Sequence, residues 1–221
     1  MREGIVWQAE QGDYTLRIVQ DFDPEDPRKW SNLGTMAVFS ARYRLGDDHN
    51  YADGRDLLEG LAAEYWQGVT PVEDLDIDRL TAIVNRHYLI MPLYLHDHGY
   101  VSMSAGTVGD TDDGEAVGYY YVALEDVRRE WGGRLTAKRR AAAIRCLAGE
   151  VHTYNLYLEG DVYGFELVRR CQCPTCNTEH EEHIDSCWGF YGENIAEMAA
   201  NIRGYLPAEH GALINQLEAV H

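Results

Sequence analysis

The sequence predicts an α+β fold: an antiparallel sheet packed against several helices, in a single domain over residues 1–221, with a hairpin excursion at about 162–190. Three features lead there. Strand-like and helix-like patterns come in runs rather than in strict βαβ alternation. The 221 residues, 45% hydrophobic and 25% charged, suffice for one substantial core and are ordinary for a globular chain. No internal repeat, low-complexity tract or long linker divides them.

The elements follow in order. "YTLRIVQDF" has the alternation of a strand around Leu16 and Ile18, ended by "DPEDP" from Asp23 to Pro27. "LGTMAVFSARYRLG", bounded by Gly34 and Gly46, predicts a second strand. "GRDLLEGLAAEYW" places Leu57, Leu58, Leu61, Ala62 and Tyr65 on one helical face. "DIDRLTAIVNRHY" repeats that signal with Leu80, Ile83, Val84 and His87, with Asp76 or Asp78 as its N-cap. Tyr and Val density then predicts strands in "YLIMPLYLHDH", "GYVSMSAG" and "VGYYYVAL". "EDVRREWGG" is a short helix stopped by Gly132 and Gly133. In "TAKRRAAAIRCLAGEVHTYNLYLEG", Ile144, Leu147, Val151, Tyr154 and Leu158 recur at helical spacing, which makes Cys146 a buried thiol beside a core stripe. A hairpin follows, then two closing helices, "NIAEMAANIRGYLP" and "AEHGALINQLEAV", broken at Gly204 and Pro207.

That hairpin holds the most chemistry. "CQCPTCNTEHEEHIDSCWGFYGE" carries four of the chain's five cysteines and two of its nine histidines. "DVYGFELVRRCQC" alternates Tyr163, Phe165 and Leu167 against Val162, Glu166 and Val168, and "HEEHIDSCWGF" can pair back on it. A six-residue loop from Cys173 to Thr178 would set Tyr163 opposite Trp188, Leu167 opposite Ile184 and Cys171 opposite His180. Cys173-Pro174-Thr175-Cys176 is a C-x2-C unit, the spacing that lets two thiolates grip one ion. Four N/S ligands fit a closed, structural Zn²⁺ site of Cys171, Cys173, Cys176 and His180, with His183 as the substitute ligand. A disulfide needs an oxidising compartment, which nothing here indicates. A thioredoxin-type pair needs its C-x-x-C at a helix start rather than a hairpin tip. Cys187 falls on the opposite face, in the core.

Other constellations are thinner. "LYLHDHG" sets His96 and His98 on one strand face and Asp97 on the other, with His49 of "GDDHN" as a further candidate. An H-x-H pair can bind a catalytic metal, so these residues define the alternative of a small metal-dependent hydrolase or nuclease. "DTDDG" (Asp110, Asp112, Asp113) resembles the start of an EF-hand loop, but Gly114 comes one place early and no glutamate closes it. It reads as an acidic turn. No P-loop, G-x-G-x-x-G, G-x-S-x-G or H-E-x-x-H occurs, and no catalytic residue is assigned.

Thirty-seven acids against nineteen lysines and arginines give a net charge of −18. Direct nucleic-acid binding needs a basic face; the local basic run is "RREWGGRLTAKRR", Arg128 to Arg140. The acidic balance predicts solubility, and beyond it a basic protein partner, such as one that holds nucleic acid. No apolar run approaches a bilayer span, and Gln8, Glu10 and Asp13 interrupt any signal-peptide core, so the expected location is the cytoplasm.

"NLGTMAVFSARYRLGDDHN", "MPLYLHDHG" and "GDVYGFEL…DSCWGFYGE" resemble segments of a widespread group of uncharacterised proteins of bacteriophages and mobile elements, over about residues 30 to 193. The resemblance implies a setting and no reaction. In other members the hairpin tip varies and can lack cysteines, which implies a local staple rather than a catalytic metal. Together these features predict a non-enzymatic accessory or counter-defence protein that acts in the host cell by binding a host or phage protein through an acidic surface.

Overall fold

The computed structural model describes residues 4–97, 99–106 and 114–220. Its elements, in chain order, are β1 (Ile5–Gln11), β2 (Tyr14–Gln20), a 3-10 turn (Pro27–Lys29), β3 (Thr35–Val38) and α1 (Gly54–Ala63). A second 3-10 turn (Val72–Asp74), α2 (Ile77–His87), β4 (Tyr88–Asp97), β5 (Val101–Ala105), β6 (Glu115–Ala123) and α3 (Leu124–Trp131) follow. The chain closes with α4 (Ala137–Glu159), β7 (Val162–Gln172), β8 (Glu179–Tyr191), α5 (Ile195–Ile202), a 3-10 stretch (Ala208–Gln216) and β9 (Glu218–Ala219). The class is α+β, built on two antiparallel sheets rather than one. The chain divides into two compact units, Met1–Asp26 with Leu156–His221, and Pro27–Asn155.

The first unit holds the sheet β8-β7-β2-β1-β9. Alternation puts Ala9, Leu16, Ile18, Phe165 and Leu167 on one face, where Met198, Ile202, Leu206, Leu213 and Ile214 cover them. Each buried leucine or isoleucine there contributes about 1.5–3 kcal/mol. Asn194 caps α5 by accepting from the N–H groups of Ala196 and Glu197. The segment expected as a last helix is 3-10 instead, and ends in β9, which pairs with β1 through Trp7–Ala219. Its apolar residues fit either form, and the two-residue ladder at the end stops an α-helix from completing. β1 ("IVWQAEQ") is apolar at Ile5, Val6, Trp7 and Ala9 and polar at Gln8, Glu10 and Gln11, and is ordered by pairing with β2.

The second unit holds the sheet β3-β6-β4-β5. α1 and α2 bury Leu57, Leu58, Leu61, Leu80 and Val84 against Ala37 and Tyr88. Asp53 caps α1 by accepting from Arg55 and Asp56, and Asp76 caps α2 by accepting from Arg79. β3 stops after four residues, so "FSARYRLG" forms a loop rather than more strand. Gly118 on β6 explains how β3 approaches so closely: a Cβ there would lie 2.0 Å from the Ala37 carbonyl oxygen.

A buried polar network ties this unit together. Arg28, 4% exposed, donates to Asp47 through Nε (3.0 Å) and Nη2 (2.7 Å), to Tyr120 Oη (3.0 Å) and to the Gly34 carbonyl (3.0 Å). The Tyr120 hydroxyl donates to Glu150, which also accepts from Leu33 N at 2.6 Å. Burial opposes the Arg28 charge, yet Asp47 and Tyr120 together more than offset it and raise the guanidinium pKa. Burial and Glu150 together push the Tyr120 phenol up. Asp47, a candidate only as part of "GDDHN", thus anchors a loop.

Candidate functional site

The β7–β8 hairpin closes where the sequence places it, with Gln172 paired to Glu179 and Cys171 to His180. At the tip, Cys173 N donates to the Thr178 carbonyl and Asn177 N to the Cys173 carbonyl, both at 2.9 Å. Asn177 takes φ 61°, the left-handed conformation that asparagine tolerates in tight turns. Away from the tip the expected register is corrected. Leu167 faces Asp185 and Tyr163 faces Phe190, because β8 carries extra residues at Ile184 and near Trp188–Gly189. Gly189, at φ 83°, supplies the backbone the second irregularity needs. Trp188 lies over Gly164, where a Cβ would come within 2.3 Å of its Cε3.

The four expected ligands fall into two pairs. Cys173 and Cys176 are adjacent at the tip. Hydrogen bonds from the Thr178 side chain first, then the Thr178 backbone and the Cys173 thiol, pull the Cys176 thiol down to about 7. Such a thiol is substantially ionised near neutral pH, the form a metal or an electrophile takes. Cys171 sits across the ladder from His180, but its Sγ lies 3.5 Å from Glu182 Oε2, and Arg169 Nη2 donates to the same carboxylate at 2.6 Å. His183, the substitute ligand, is 3.1 Å from Ser186 Oγ through its Nε2. Among the described residues, no group of three or more His, Cys, Asp or Glu side chains converges in a metal-ligating arrangement. Cys187 packs at the edge of the first unit's core, as its strand face requires.

Among the described residues, the histidine constellation does not converge on a metal-ligating group. His96 Nε2 lies 3.1 Å from Ser104 Oγ across the β4–β5 pair. Asp97, on the opposite face, accepts from Arg42 Nη1 at 3.1 Å and from the Tyr43 hydroxyl at 2.8 Å. His49 Nε2 donates to the Val38 carbonyl at 3.1 Å while its ring meets Phe39 edge-on. His98 and the acidic turn Asp110, Asp112 and Asp113 lie outside the described residues. Cys146 is half-buried, its thiol pushed up by burial and by Glu150 and Glu130.

Comparison with known protein families, curated proteins and solved structures finds no match.

Of the acidic clusters, Glu73, Asp74, Asp76 and Asp78 are exposed on the 3-10 turn and the start of α2. Asp23 and Glu25 are exposed in the loop after β2. The basic run is partly engaged locally: Arg129 Nη1 pairs with Asp126, just before the run, at 2.7 Å, and Arg139 Nη1 donates to the Arg134 carbonyl. No helix among the described residues is long and apolar enough to cross a membrane. Sequence reasoning missed the Arg28–Asp47–Tyr120–Glu150 network. Its members lie 19 to 92 positions apart in the pairs that touch, and no local pattern signals such contacts.

Proposed function

We propose that this chain is a non-enzymatic accessory or counter-defence protein of bacteriophage or mobile-element type, which binds a host protein through an acidic surface. The observation that carries the reading is the exposed carboxylate group Glu73, Asp74, Asp76 and Asp78 on a chain of net charge −18. Such a field steers a basic partner into encounter and repels nucleic acid. A basic partner that normally holds nucleic acid is the natural target, since its own face is shaped for phosphate. The engagement of His96 by Ser104, and of Asp97 by Arg42 and Tyr43, favours a binding role for the protein over hydrolysis at these two residues.

A structural Zn²⁺ belongs to the same reading. Cys173 and Cys176 would hold it first, being adjacent at the tip, with the Cys176 thiol already drawn toward thiolate. Cys171 and His180 face one another and would complete the shell once the Cys171 thiol leaves Glu182. The ion would fix the hairpin tip and take no part in a reaction.

The test is capture of a partner from host lysate, followed by association kinetics with the purified partner. An association rate that falls at least tenfold between low and high salt supports steering by acidic clusters. Capture by a partner whose association is indifferent to salt overturns it.

A further inference from the structure

β8 is the outer strand of its sheet. β7 pairs with one side of it, and among the described residues no strand pairs with the other. It is thirteen residues long. Free edges of that length offer a row of backbone N–H and C=O groups and are normally shortened or covered. Here the edge is open and carries apolar anchors. The two irregularities in β8 fall at Ile184 and near Trp188, which are 38% and 45% exposed. Acidic residues accompany them: Glu179, Glu181 and Glu182 are exposed, and Asp185 is half-exposed. Arg17 holds Glu181 in a two-pronged pair, and Arg169 holds Glu182 at 2.6 Å. Glu181 and Glu182 are therefore oriented in advance. Arg170, opposite Glu181 in the ladder, is engaged by Glu10, and three arginines against the four acids of β8 and Glu10 leave the edge negative.

We propose that the β8 edge is a strand-addition site for an extended segment of a partner protein in which lysine or arginine alternates with apolar residues. The proposal deepens the acidic-surface reading and rests on it. Backbone hydrogen bonds along the edge supply affinity, Trp188 and Ile184 take the apolar side chains, and the carboxylates select the basic ones. Charge complementarity fixes the occupant. A second copy of this chain, paired antiparallel about Glu181 and Glu182, would set acids opposite acids, which destabilises a cross-strand pair.

The probe is a capped peptide alternating lysine with valine, long enough to span Glu179–Ser186, beside the same peptide N-methylated on alternate residues. Methylation keeps the charge and removes the backbone donors. The unmethylated peptide is expected to bind, to slow hydrogen exchange within residues 179–188, and to bind at least about tenfold more tightly than its methylated form. Trp188→Ala is expected to weaken it about fivefold or more. Ile184→Lys, a change at an exposed position, is expected to weaken it by a similar factor through repulsion. Equal binding of the two peptides, protection elsewhere such as residues 21–26 or 72–78, absence of binding, or indifference to both variants each overturns the edge site. Those outcomes leave salt-dependent capture of a host partner unaffected, so the failure of this site and the failure of the acidic-surface reading are separable.

Discussion

Truncating Asp47 to alanine removes the counter-charge of a nearly fully buried arginine. Asp47 accepts two hydrogen bonds from Arg28, at 3.0 and 2.7 Å, and one from Met36 N at 2.7 Å. Breaking one side of a buried pair costs about 3–5 kcal/mol, because the remaining charge stays uncompensated. The orphaned Met36 N–H adds about 1 kcal/mol. Against this, the Glu150 carboxylate reached through the Tyr120 hydroxyl keeps part of the counter-charge near Arg28. The net expectation is a loss of about 3 kcal/mol. With a urea m-value of about 2 kcal/mol/M, the unfolding midpoint should fall by about 1.5 M. The assay is urea unfolding followed by far-ultraviolet circular dichroism, with an unchanged m-value as the check on comparable states. Combining Asp47→Asn with Arg28→Met should recover more than half the loss, since it removes charge from both sides. A single-variant shift below about 0.3 M would refute the reasoning, since it would mean that Arg28 is solvated without Asp47.

Metal analysis of purified protein should find about one zinc per chain, and Cys173→Ser with Cys176→Ser should abolish it while leaving the far-ultraviolet spectrum intact; full retention would sink the ligand assignment. Gly164→Ala should cost about 1–3 kcal/mol and shift tryptophan emission, because its Cβ would meet Trp188 at 2.3 Å and the Cys187 carbonyl at 2.9 Å. Gly149→Ala, in α4 with nothing within 4 Å, should instead stabilise by up to about 1 kcal/mol in the same assay. Tyr121, Tyr163 and Tyr191 are each pushed up to about 12, chiefly by burial, from an unfolded value near 10. A folded pKa above the unfolded one means that their contribution is whole below pH ~10 and lost as pH rises toward ~12. Phenolate absorbance should therefore lag behind that of the unfolded chain across this interval, and coincident titration curves would contradict the burial of these rings.

Local periodicity carried most of the secondary structure. The spacing of Leu57, Leu58 and Leu61, and of Leu80, Ile83 and Val84, defined α1 and α2, and the aspartate caps lay next to them in sequence. The hairpin turn was legible because Cys171 and His180 flank a short polar loop. The register beyond it was not, since a bulge at Ile184 inserts a residue that no alternation announces. β1 was hidden because Gln8, Glu10 and Gln11 break up the alternation after its apolar start, and the split into two sheets depends on which strands pair rather than on where strands lie. The same limit applies to the chemistry. Cys173 and Cys176 are neighbours in sequence and in space, whereas the partners of Asp97 are Arg42 and Tyr43, more than fifty residues away. Asp97 lies on the opposite face from His96, as the alternation of "HDH" already indicates, but its partners there carry no local signal.

The central claim is that binding through acidic surface, and not the histidine region, is what the protein does. The decisive measurement is the association rate of the captured host partner with two variants, Glu73→Lys with Asp74→Lys, and His96→Ala with His98→Ala. Both changed acids are exposed, so the first variant should keep its fold. It should associate at least about threefold more slowly at low salt, with the difference shrinking once the Debye length drops to a few ångströms. The histidine variant should associate as the unmodified protein does. A histidine variant that loses association while the charge-reversed one keeps it at every salt concentration would contradict the claim.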